Sequence, residues 1–177
     1  MNVPTIKLKR IILRPLSVSY AREFIKWFAD KEVTRFLLLQ KAVTFVEEKK
    51  WISERIKSKN DYVWSVFVEK KLIGNIHIRY DKKNRFANLG IVIGDKDSWG
   101  KGFGREMMEA VIDYSFKKLK CNRVELIVHS DNERAKKLYK KLGFIYEGTE
   151  RQKQFNLITK KFADADMMSI LYSEYKK

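Results

Sequence analysis

"LGIVIGDKDSWGKGFGREMMEAVIDYSF", residues 89–116, changes character twice. It opens on an apolar run, Leu89 to Ile93, as a central strand does. It then crosses Gly100, Gly102 and Gly104, which alternate with Lys101 and Phe103. It continues as a helix through Leu119 whose broad apolar face carries Met107, Met108, Val111, Ile112, Tyr114 and Phe116. The chain has only 8 glycines in 177 residues, and three of them fall between 100 and 104. One glycine suffices for a plain strand-to-helix turn. Three let main-chain N–H groups converge and let a ligand approach the backbone, and the helix adds roughly half a positive charge at its N-terminus. Lys101 and Arg105 add full charges. The stretch therefore reads as a strand, an anion-binding turn and a helix. It fits neither common phosphate motif. The dinucleotide fingerprint needs glycine at 105, which is arginine, and in the P-loop pattern Lys101 would be followed by Ser or Thr rather than Gly102.

Working outward, "NRVELIVH" (122–129) alternates as a strand, and "NERAKKLYKKL" (132–142) reads as a helix with Asn132 as cap and Gly143 just past its end. "FIYEGTER" and "ADMMSILYSEY" read as closing strands. Upstream, "YVWSVFVE" (62–69) and "KLIGNIHIRY" (71–80) read as a hairpin, and "RFANLGIVIG" (85–94) as the next strand. "TIKLKRIILR" (5–14) reads as one strand stopped by Pro15. "SVSYAREFIKWFAD" (17–30) and "TFVEEKKWISERIKSK" (44–59) read as helices, the first capped by Ser17 or Ser19, the second by a Thr44–Glu47 capping box. The order β-α-α-β-β-β-α-β-α-β-β is a mixed α/β domain with helices on a mostly antiparallel sheet, not a repeating βαβ fold.

Length suggests one domain, residues 1–177, large enough to bury a core without disulfides or a structural metal. One cysteine and two histidines argue against a zinc cluster, and the lone Cys121 fits a reducing cytoplasm. No apolar run is long enough for a membrane span, and the N-terminus lacks a signal-peptide pattern. The net charge of +16 favours acidic partners: phosphorylated cofactors, nucleic acid or anionic surfaces. Its even spread, without a basic block, equally suits solvated surface faces.

"LGIVIGDKDSWGKGFGREMMEAVIDYSFKKLKCNRVELIVHSDNERAKKLYKKLGFIYEGTER" resembles the core of the GNAT acetyltransferases, and most closely the branch of ribosomal-protein N-terminal and spermidine acetyltransferases. "RIILRPL", "WFADKEVTRFL" and "DADMMSIL" extend the resemblance over most of the chain. The resemblance implies acetyl-CoA as cosubstrate, with no metal. Main-chain groups of Ile91, Val92 and Ile93 would hold the pantetheine arm. Trp99, Gly100, Lys101, Gly102, Phe103, Gly104 and Arg105 would cradle the pyrophosphate, the Trp99 side chain packing while its N–H serves the ligand. Asn132 and Ala135 would line the pantetheine, and Tyr139 would sit by the sulfur and protonate the thiolate. Spacing alone favours Tyr139 as a core residue of an amphipathic helix, and only the resemblance gives it the acid's part. The implied reaction is direct attack of a primary amine on the thioester in a ternary complex.

Many relatives carry Glu two residues before the strand glycine, where this chain has Asn88, whose amide cannot accept a proton at neutral pH. His77, Asp95, His129 and a water chain remain as proton acceptors. Cys121 could in principle form an acyl-enzyme, but sits between a helix and a strand with no histidine near in sequence. The acceptor pocket is expected between the first two helices, their connection Trp27 to Gln40 with Phe28, Phe36, Leu37, Leu38 and Leu39, and the last strand pair. The positive field disfavours a polycation and suits a protein N-terminus, the ribosome being the one indirect route to nucleic acid; a small amine stays open, and the resemblance allows a homodimer. Two other functions compete: a basic nucleic-acid-binding module, and a CoA-binding domain without catalysis.

Overall fold

The computed structural model describes residues 3–37, 43–156 and 160–175. A hydrogen-bonded sheet runs through it in the order β1-β2-β3-β4-β5-β6-β8-β7. The strands are β1 (Ile6–Lys7), β2 (Ile12–Pro15), β3 (Asp61–Val68), β4 (Lys71–Asp81), β5 (Phe86–Ile93), β6 (Arg123–His129), β7 (Ile145–Asn156) and β8 (Lys161–Leu171). The helices are α1 (Ala21–Ala29), α2 (Lys31–Thr34), α3 (Phe45–Lys57), α4 (Phe103–Lys117) and α5 (Glu133–Lys141). All neighbours are antiparallel except β5 and β6, which run parallel as the crossover through α4 requires. That parallel pairing spans only Phe86–Leu89 against Arg123–Leu126. Beyond Leu89 the two strands part, leaving the β6-facing edge of Gly90–Ile93 without a strand partner.

The sheet is packed on both faces. α4 lays Met107, Met108, Val111, Ile112 and Phe116 onto Ile73, Ile76, Ile78, Leu89, Val124 and Leu126. On the other face, Phe24 and Trp27 of α1 and Ile52 of α3 cover Val63 of β3. Each such fully buried side chain contributes on the order of 1.5–3 kcal/mol. Trp64, wholly buried, still satisfies its indole by donating to the Pro4 carbonyl at 2.8 Å. The expected capping box forms: Glu47 N–H donates to Thr44 Oγ1 at 3.3 Å and Thr44 N–H to Glu47 Oε2 at 2.9 Å.

Three elements differ from their sequence reading. Residues 5–14 form not one strand but a tight hairpin, closed by Leu8 N–H to Ile11 O at 2.9 Å. Pro15 ends β2 from within, where β1 no longer covers that edge and no N–H is needed. A short helix, α2, follows α1, its N-terminus held by Asp30 Oδ1 accepting from Glu32 N–H at 2.8 Å. Four residues carry too little periodicity to stand out in sequence. The closing strands extend through Asn156 and back from Lys161, while Tyr172–Tyr175 turn off the sheet so that Tyr175 packs on Phe116 at 4.7 Å between ring centroids.

Candidate active site

The glycine turn adopts a conformation that only glycines hold without strain. Gly100 and Gly102 have φ of +78° and +83°, in the left-handed region. Helical bonding begins only at Arg105 N–H to Gly102 O, 3.1 Å, and Glu106 N–H to Gly102 O, 3.3 Å. The N–H groups of Gly100, Lys101, Gly102, Phe103 and Gly104 consequently donate to no group among the described residues. Alternating left-handed glycines at a helix start make a concave nest of donors suited to an anion. The Trp99 N–H is not part of it. It donates to Lys96 O at 3.0 Å, closing a 3₁₀ turn, and the Trp99 indole donates to Ile93 O at 2.8 Å. The expectation that Trp99 offers its N–H to a ligand is thereby corrected: the residue ties the turn to the end of β5.

Arg10, not singled out in the sequence, braces this turn. From the β1–β2 hairpin its main-chain N–H and Nε donate to Glu106 Oε1 and Oε2 at 3.1 and 2.9 Å. Its Nη1 donates to Lys101 O at 2.9 Å, and its guanidinium lies 4.9 Å from the Phe103 ring centroid. A methyl group at Gly102 would meet Arg10 Nη2 at 3.3 Å. "RIILRPL" hinted at this arginine, but Glu106, 96 positions away, is visible as its partner only in three dimensions. Arg105, expected to face the anion, pairs with Glu109 on the exposed side of α4 at 2.9 Å.

The remaining candidates gather where β5 and β6 part. The Ile91 and Ile93 side chains point under Gly104, towards Leu138 of α5, leaving their main chain along the open edge. The Ile93 carbonyl is taken by Trp99. Asn132 caps α5, its Oδ1 accepting from Ala135 N–H at 3.2 Å, which leaves its amide N–H₂ available. Tyr139 is 7% exposed and packs against Phe144, and its hydroxyl has no partner among the described residues. Burial pushes its phenol up to about 12, so it stays protonated throughout the physiological range.

A strand edge without a strand partner lies beside a donor nest at a helix start among the described residues. Residues 10–145 match the family model described as acetyltransferase (GNAT) domain. The chain belongs to the GNAT acetyltransferase family. It is 28% identical to the uncharacterized N-acetyltransferase p20 of Bacillus licheniformis over 181 residues, covering 97% of this chain and 98% of that one. It is 34% identical to the spermidine N(1)-acetyltransferase of Vibrio cholerae over 108 residues, 60% of this chain and 61% of that one. The crystal structure of a Vibrio cholerae spermidine N-acetyltransferase with CoA and spermine superposes with a TM-score of 0.86 at 26% identity, covering 94% and 98% of the two chains.

Of the side-chain proton acceptors considered from sequence for this acetyltransferase, Asp95 and His129 are engaged and His77 is packed against Gly90. His77 lies flat over Gly90, where a Cβ would meet its ring at 2.1 Å, and its enclosure pushes the imidazole down to about 4. Asp95 binds Lys71 at 2.7 Å and Ser98 Oγ. His129 Nδ1 accepts from Asp131 N–H at 3.2 Å while its ring meets Phe36 at 5.4 Å. Cys121 is buried, and desolvation pushes its thiol up to about 11, which makes it a poor nucleophile. The connection after α1 does cross this face, with Phe36 on His129 and the Arg35 carbonyl accepting from Asn156 at 3.3 Å. Leu38, Leu39 and Gln40 lie outside the described residues. No described group of three or more His, Cys, Asp or Glu side chains is arranged to hold a metal, and no described helix is long and apolar enough to cross a membrane.

Proposed function

We propose that this GNAT enzyme transfers the acetyl group of acetyl-CoA to a primary amine, by direct attack in a ternary complex. The observation that carries this reading is the run of unbonded N–H donors from Gly100 to Gly104 beside the open edge of β5. A diphosphate suits the first, and the amide groups of a pantetheine arm suit the second as an added strand would. The donor's anchoring residues are Gly100–Gly104 with Lys101 nearby, the main chain of Ile91–Ile93, and Asn132 beside Ala135. Holding thioester and amine together can supply much of the rate gain. A β5 N–H facing the open edge would stabilise the tetrahedral oxyanion, and Tyr139 would return a proton to sulfur.

The acceptor is a small amine or a peptide N-terminus. Relatives named for spermidine support a small primary amine. The net charge of +16 opposes a polycation at long range, so we place monoamines and α-amino groups first. The single cysteine and the chemistry suit a reducing cytoplasm. The test is a thiol-release assay with acetyl-CoA and spermidine, amino acids and N-terminal peptides side by side. Release with one of these classes is expected, and none with any amine would overturn the proposal.

A further inference from the structure

The amide at Asn88 leaves the expected position of a base without a carboxylate, but the fold brings one to it from another strand. In the parallel β5–β6 pairing Asn88 stands opposite Glu125, one rung before the last pair, Leu89 and Leu126. Both side chains share the face that carries Gly90 and Ile127, where the strands begin to part. Glu125 Oε2 accepts from Arg123 Nε at 2.8 Å, while among the described residues Oε1 meets only Asn88 Nδ2, at 3.5 Å, the outer limit of a hydrogen bond. Arg123 is shared: its Nη1 donates to Glu147 Oε1 at 2.7 Å and to Ser169 Oγ at 3.0 Å, and its Nη2 donates to Glu147 Oε2. Two carboxylates around the Arg123 guanidinium leave one carboxylate charge there uncompensated by Arg123, beside a rim that carries Arg79, Asp81, Lys82 and Lys83. Glu125 and Asn88 line a groove of about 630 Å³ that opens to solvent.

Resting on the acetyl-transfer chemistry proposed above, we infer that Glu125 receives the acceptor amine as an ammonium and takes its proton, supplying from β6 the carboxylate that position 88 of β5 lacks. The ammonium gives one proton to Glu125 Oε1, directly or through one water, and Glu125 passes it along the groove to solvent. The freed nitrogen lone pair forms the C–N bond at the thioester carbon. As the C–S bond breaks, nitrogen gives its second proton to Glu125, which has released the first to solvent, while Tyr139 protonates the sulfur and regains its own proton from solvent. The charged groups facing Glu125 are Arg123 on its own strand, Glu147 across β8 and, along the groove, Arg79, Asp81, Lys82 and Lys83. The basic rim also favours an acceptor that carries an acidic group next to its amine.

The test is Glu125→Gln, with thiol release followed against pH and acetyl-CoA binding followed by thermal shift. At neutral pH kcat/KM is expected to fall about 100-fold or more, the range of general-base catalysis, and to climb with pH towards the pKa of the amine, while the coenzyme's thermal shift is unchanged. Adding Asn88→Glu to Glu125→Gln should restore at least about 10-fold of that loss, which a purely structural role of Glu125 would not. Glu125→Asp keeps the Arg123 ion pair but withdraws the carboxylate by one methylene, so it should fold and still lose turnover. Wild-type rates in Glu125→Gln or Glu125→Asp, or no recovery in the double variant, would overturn the role of Glu125 alone. No thiol release by the wild type with any amine would overturn acetyl transfer itself, and the role of Glu125 with it.

Discussion

Tyr139 shows how far a single side chain's environment shapes its chemistry. The reference values of a phenol and a thiol differ by only ~1.5 units, but burial raises the phenol to about 12. The group is thus a donor that never ionises in the working range, and it is the weaker acid for its burial. Tyr139→Phe should lower kcat about 10- to 100-fold with the affinity for acetyl-CoA nearly unchanged, because the hydroxyl has no partner among the described residues to lose and acts only as sulfur leaves. Equal kcat in the variant, measured by stopped thiol release, would remove Tyr139 from the acid's part. Gly102 is the sharper test of the anion nest. Gly102→Glu places a carboxylate beside the donors and a side chain at φ of +83°. It should abolish the thermal shift that acetyl-CoA gives the wild type, and a shift of wild-type size would count against the nest.

At the scale of elements, the decisive object is the start of α4 and what holds it. A helix N-terminus leaves its first N–H groups without intrahelical partners, so its shape depends on what its neighbours fix. Arg10 does so from the β1–β2 hairpin, by two bonds to Glu106 and one to the Lys101 carbonyl. Arg10→Ala removes the two side-chain bonds, each worth roughly 1.5–3 kcal/mol when a charge is involved and less where solvent screens it. The expected result is about a 10-fold weaker acetyl-CoA affinity by calorimetry, with the loss in KM for the coenzyme rather than in kcat. An unchanged dissociation constant would show that the turn holds its shape without the hairpin. The hairpin itself escaped sequence reading because Lys9 and Arg10 interrupt an otherwise β-prone run without any glycine or proline to mark the bend.

For the whole molecule, one buried carboxyl makes stability depend on pH. Glu48 on α3 is 4% exposed, its Oε1 has no partner among the described residues, and desolvation raises it from 4.5 to about 7. The folded state therefore binds this proton more tightly than the unfolded chain. Stability from this group is fully present below about 4.5, is lost as pH rises towards about 7, and is level above that. Glu48→Gln should remove the slope, gaining on the order of 2 kcal/mol at pH 8 and almost nothing at pH 4. Parallel urea melts of the two proteins at those pH values check it, and equal slopes would mean that Glu48 is solvated in solution.

What the chain order alone determined is local in origin. The glycine triplet, the run Leu89–Ile93, the Thr44–Glu47 box and the Asn132 cap each act within one turn or one strand, so their residues announce them, and the helix from Asn132 to Gly143 is equally contiguous. Only the tertiary structure decided that Arg10 meets Glu106 and that Asn88 looks across at Glu125. These pairings join residues from separate elements through the sheet register and the crossover of α4. Nothing in a local propensity encodes them, because they arise when the chain closes long loops to bury two faces of one sheet.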